Sequence, residues 1–115
     1  MSGLSFKNGV IRDGSQILGN IKQAIIRKGS SSIAGSGTIV GNTKNGIIRE
    51  GTSSIAGSGH IIGNVKDQTV KAGSSSIAGS GQTKGKVKDY SIPGMEREKD
   101  EDIVACYHFL VKKFL

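Results

Sequence analysis

The sequence predicts a mainly β protein, a five-fold ring or closed barrel of antiparallel β-hairpins around a C-terminal hydrophobic α-helix. Three observations predict it. A Gly/Ser-rich segment recurs at 29–37, 51–59 and 73–81, each start 22 residues after the last. A second block recurs five times with a two-residue turn signal at its centre. The longest mainly apolar run, residues 103–111, lies near the C-terminal end. A chain of 115 residues is one domain's worth, with hairpin repeats over 1–94 and the helical segment over 95–115.

The five copies of the second block are residues 6–12, 21–27, 43–49, 65–71 and 87–93, each with Lys in second place. The two residues after that Lys are the turn: Asn8-Gly9, Gln23-Ala24, Asn45-Gly46, Asp67-Gln68 and Asp89-Tyr90. Asn-Gly is a strong hairpin signal, because both residues tolerate the positive φ of a type I′ turn. The other three copies inherit the assignment from their register. A two-residue turn sets Lys7 opposite Val10 and Phe6 opposite Ile11, and side chains alternate faces along a strand. One face then carries Phe6 with Ile11, Ile21 with Ile26, Thr43 with Ile48, Val65 with Val70 and Val87 with Ile92. It is apolar except at Thr43, and is assigned to the core.

By the same parity, nine basic residues share the opposite face: Lys7, Arg12, Lys22, Arg27, Lys44, Arg49, Lys66, Lys71 and Lys88. They are the candidate site, for an anionic ligand. The formal net charge is +7, and residues 1–95 hold 12 Lys/Arg against 4 Asp/Glu. A basic repeat region favours an anionic partner.

The first connection between hairpins is short, around Gly14, and the next three carry the Ser-Ile-Ala-Gly-Ser-Gly insert. Its Ile-Ala pair predicts that the insert lengthens the strands and packs on its neighbours. After Pro93-Gly94, an acidic run at 96–102 precedes the apolar run and Lys112-Lys113 follows it, the charge order that suits a helix dipole. The run has no polar stripe, so this helix is expected to be buried all round. It supplies the core that glycine-rich strands lack. The acidic run itself is read as solvated.

This pattern resembles the bacterial β-flower proteins, in particular the five-fold kind, over residues 4–92 for the repeats and 96–115 for the helix. The resemblance implies short hairpins radiating around the helix, a shape similar to the tubby C-terminal domain. The inserts and the missing Arg of the fifth copy depart from it. The family implies no activity, and the tubby likeness implies phosphoinositide binding only through shape.

Other chemistry is not indicated. The segments at 35–41, 57–63 and 79–85 differ from a dinucleotide fingerprint by one residue and recur three times. Cys106 and His108 are two apart, so on a helix they diverge. The single cysteine, read as a buried structural thiol, excludes an intrachain disulfide. No metal-ligand spacing, cofactor motif or specific nucleic-acid motif is present. No signal-peptide pattern or transmembrane segment is seen, so a cytoplasmic or membrane-peripheral location is expected. The expectation is a non-enzymatic binding or scaffold module, with an anionic lipid head group or other polyanion on the basic face. The alternative is a structural β-solenoid of parallel coils that assembles end to end.

Overall fold

The structure, a computed structural model, describes residues 3–115. Among these residues, nine strands form one sheet in sequence order, every neighbouring pair antiparallel. They are β1 (Leu4–Lys7), β2 (Val10–Asp13), β3 (Gln16–Lys22), β4 (Ile25–Lys28), β5 (Thr38–Lys44), β6 (Ile47–Glu50), β7 (His60–Lys66), β8 (Thr69–Ala72) and β9 (Gln82–Lys86). A parallel-coil solenoid is therefore not what the chain forms.

The first four hairpins follow the predicted register. Lys7 faces Val10, Lys22 faces Ile25, Lys44 faces Ile47 and Lys66 faces Thr69. All eight turn residues have φ between 51° and 82°, including the non-glycine pairs Gln23-Ala24 and Asp67-Gln68. That is the paired left-handed geometry of a type I′ turn, whose twist matches the strands it joins.

The fifth copy is not a hairpin. Val87–Tyr90 is a single 3-10 turn. Asp89 accepts a hydrogen bond from the Lys86 N–H at 2.9 Å, a local bond that competes with strand pairing. Its apolar residues still reach the core, since Val87 and Ile92 are buried. The sheet is not closed: β1 and β9 lie at its two ends. One backbone contact nevertheless joins the ends of the repeat array. The N–H groups of Ile21, Thr43, Val65 and Val87 donate to the turn carbonyls of Gly9, Ala24, Gly46 and Gln68, each in the preceding hairpin. Phe6, the matching residue of the first copy, donates to Pro93 at 2.8 Å.

The helix α1 (Asp100–Cys106) continues into a π-helical turn, Tyr107–Val111, and packs on the inner face of the sheet. Ile103, Val104, Ala105, Cys106, Phe109 and Leu110 are buried, in one cluster with Ile11, Ile26, Ile48 and Val70. The helix is enclosed as its apolar circumference requires. Close approach depends on glycines of the inner face. A Cβ at Gly41 would overlap the Phe109 ring, and one at Gly19 would overlap Leu110. Next to them, Leu18, Val40 and Ile62 are the extra residues of β-bulges and add to the core. A bulge bends its strand and increases its twist, which curls the sheet toward the helix.

The inserts do not lengthen strands. β3, which no insert precedes, has seven residues, as do β5 and β7, which inserts do precede. Each insert instead folds back as a loop over the outer face. Asn20, Asn42 and Asn64 project from that face and are wholly buried beneath the loops. Asn42 accepts from the Gly57 N–H at 2.9 Å and donates to the Ser58 carbonyl at 2.7 Å. Asn20 and Asn64 do the same with Gly35 and Ser36, and with Gly79 and Ser80. The protein thus has three layers: helix, sheet and a repeated loop layer.

Candidate functional site

Eight of the nine predicted basic residues lie on strands at the predicted parity. Lys88 does not. It is carried by the 3-10 turn, where strand alternation no longer applies, and lines a cleft with Gln68 and Lys86. The face is also less open than parity alone suggests. Val10, Ile25 and Ile47, opposite the lysines, are buried. Arg12, Arg27, Arg49 and Lys71 are half-buried, while Lys7, Lys22, Lys44 and Lys66 are exposed.

On two of the hairpins this face forms a cleft. One of about 330 Å³ is lined by Lys44, Asn45, Arg49, Gly57 and Ser58, with Ser76 from the following loop. One of about 300 Å³ occupies the same place a repeat later, between Lys66, Asp67, Thr69, Lys71 and Gly79. Each brings two cations from adjacent strands to the edge of a glycine-rich loop. The two differ in one respect: Lys71 donates to the Gly79 carbonyl at 2.8 Å and is already engaged.

A further cleft, of about 490 Å³, lies at the start of α1, between the second and third hairpin turns. Its charges are mixed: Lys44 and Lys99 face Glu98, Glu101 and Asp102. The acidic run is not simply solvated. Asp102 is buried and accepts the Thr43 hydroxyl hydrogen bond at 2.5 Å. Glu101 accepts from the Gly46 N–H at 3.3 Å, and Asp100 from the Gln68 amide at 2.6 Å. The run fastens hairpin turns to the helix. Burial raises the Asp102 pKa above the ordinary carboxylate range, Thr43 opposes the shift, and Glu101 adds to it.

Cys106 is buried, and desolvation holds its thiol pKa well above the ordinary value, so it is not a nucleophile at neutral pH. His108 is also buried, and its Nδ1 accepts the N–H groups of Phe114 and Leu115 at 3.0 and 3.1 Å. It is therefore neutral, with its pKa lowered to about 4, mainly by burial and further by Lys113. Around it, Tyr90 stacks on Phe114 at 4.0 Å and meets Tyr107 edge-on, so the chain terminus packs against the 3-10 turn.

Sequence reasoning missed the asparagine ladder, although Asn20, Asn42 and Asn64 follow glycine at the repeat period and were legible as a set. It also missed the exposed loop tips Ile33, Ile55 and Ile77. No helix among the described residues is long and apolar enough to cross a membrane. Comparison with protein-family models, curated proteins and solved structures finds no match to this chain.

Proposed function

We propose that the chain is a non-enzymatic binding module that holds a polyanion along its outer layer. The observation that carries this reading is the recurrence of one cleft, two cations beside a glycine-rich loop, on successive hairpins. Repeated cationic sites at a regular pitch suit a ligand with repeated negative charge. The charge asymmetry agrees, since the repeat region carries the excess of Lys and Arg. End-to-end assembly is less favoured. Pro93 and Gly94 lie against the backbone of β1, while Asp89 and Tyr90 bond to Lys86 and Lys84 of β9. Covered edges do not recruit further strands.

The same proposal includes the finer architecture, a five-fold arrangement of the β-flower kind in which residues 87–94 stand in for the fifth hairpin. Its support is the Phe6–Pro93 bond, which repeats the contact made by each of the four hairpin turns.

Inorganic polyphosphate is the probe. The chain is expected to bind it at low salt, with affinity falling as salt rises. Replacing Lys22, Lys44 and Lys66 by Gln is expected to weaken binding by about tenfold or more, since tenfold corresponds to only about 1.4 kcal/mol. An unchanged affinity in that variant would reject the reading, as would no binding at low salt.

A further inference from the structure

Ile33, Ile55 and Ile77 stand at 68%, 67% and 68% exposure, the large hydrophobic side chains left in solvent among the described residues. Single exposed aliphatic residues are ordinary on a protein surface. These three are different because one position of the repeat is exposed every time, while the neighbouring residue turns inward. Ala34 packs toward Gly9, and Ala78 toward Gly46.

The tips are held, not loose. The Ile33 N–H donates to the Ser31 hydroxyl at 3.1 Å, and the Ser36 N–H closes the turn on the Ile33 carbonyl at 3.2 Å. The same pair of bonds recurs at Ile55 and at Ile77. Beneath each turn, the asparagine ladder ties the loop to the sheet. A lysine stem also runs along each loop two residues beyond the tip. A Cβ at Gly35, Gly57 or Gly79 would come within 3.2, 2.9 or 3.1 Å of the Cδ of Lys22, Lys44 or Lys66. With two strands per repeat, successive tips sit about 10 Å apart at the level of the sheet.

We infer that this outer layer docks on an anionic lipid bilayer, with the three isoleucines entering the interface while the adjacent lysines meet the lipid phosphates. The inference rests on the polyanion reading above and names its partner. Charge complementarity selects the occupant. A second copy of a chain carrying a net charge of +7 would bring like charges together. A soluble polyanion makes no use of rigid aliphatic tips, and single-stranded nucleic acid stacks on aromatic faces, which this layer lacks. A bilayer surface takes both groups at once: apolar side chains below the head groups and cations at their level.

The test uses the full chain and vesicles of phosphatidylcholine, alone or with roughly a third phosphatidylserine. Binding is expected to the mixed vesicles and to be at least about tenfold weaker to the neutral ones. Replacing Ile33, Ile55 and Ile77 together by Ser is expected to reduce binding to mixed vesicles about tenfold or more, while polyphosphate binding stays unchanged. The replaced side chains are exposed, and an unchanged melting profile confirms that the fold is kept. Because the chain has no tryptophan, Ile55→Trp reports insertion directly through a blue shift of its emission on mixed vesicles. Equal vesicle binding by the triple Ser variant overturns the inference. So does an unshifted emission from the Ile55→Trp chain, equal binding to neutral vesicles, or no vesicle binding by a chain that still binds polyphosphate. Failure to bind either probe removes the polyanion reading and this inference with it.

Discussion

The hydroxyl of Thr43 donates to the carboxylate of Asp102, 59 residues further along the chain, in a buried bond between the third hairpin and the first turn of α1. Thr43 is the one polar residue among the predicted core-facing pairs, and its equivalents Ile21 and Val65 are apolar. The repeat is broken where the helix begins, and the break supplies the partner that a buried carboxylate requires.

Thr43→Val keeps the shape and removes that partner. It is expected to cost about 1–3 kcal/mol at neutral pH, the penalty of an unsatisfied buried group, as read by urea denaturation. Asp102→Asn still accepts from Thr43 and carries no charge into the core, so it is expected to equal or exceed the native stability at pH 7. Burial raises the Asp102 pKa in the folded state. The folded chain then keeps a proton that the unfolded chain has lost, and this group's contribution falls as pH rises through the raised pKa. That slope is expected to vanish in Asp102→Asn.

His108 acts with the opposite sign. Its folded pKa is about 4 against an ordinary 6.5, so between those values the unfolded chain binds the proton and the folded one does not. This group's contribution is complete above about pH 6.5 and is lost as pH falls toward 4, by up to about 3 kcal/mol. Denaturation in the Asp102→Asn background isolates this slope, and imidazole titration by NMR reads the pKa directly. A His108 titrating near its ordinary value would show that its bonds to Phe114 and Leu115 are not made.

Ala24 holds φ at 67° in the turn where two other copies have glycine. A Cβ in the left-handed region costs roughly 1–2 kcal/mol, partly offset by the extra freedom glycine has when unfolded. Ala24→Gly is expected to raise stability by about 0.5–1 kcal/mol with the hairpin register unchanged, as measured by thermal melting.

Asn42→Ala leaves the Gly57 N–H and the Ser58 carbonyl without their partners. A loss of about 1–3 kcal/mol is expected. Amide exchange is expected to speed up at Gly57 and across loop 51–59, while exchange in β5 and β6 is nearly unchanged. Uniform acceleration would mean that the loop layer belongs to the cooperative core.

The hairpins were legible because a two-residue turn determines every pairing that follows, so Asn8-Gly9 and Asn45-Gly46 specified the faces of all four. The fifth copy misled because Val87 and Ile92 keep the apolar pattern while Tyr90 and Pro93 replace residues the hairpin needs. The burial of α1 followed from its lack of a polar stripe. The loop layer was not legible: the period of Asn20, Asn42 and Asn64 marks them as a set, but only the fold shows the inserts returning over them. The acidic run misled for the same reason, since the hairpin ends that satisfy Asp100, Glu101 and Asp102 come from distant sequence.

The shared core implies that the strands are stable only as a wrapping around α1. Urea unfolding of a chain ending at Met95 tests it most directly. The expected result is the loss of any cooperative transition, because Ile103, Val104, Phe109 and Leu110 leave the core together. A sharp transition in the shortened chain, near that of the full one, would contradict it.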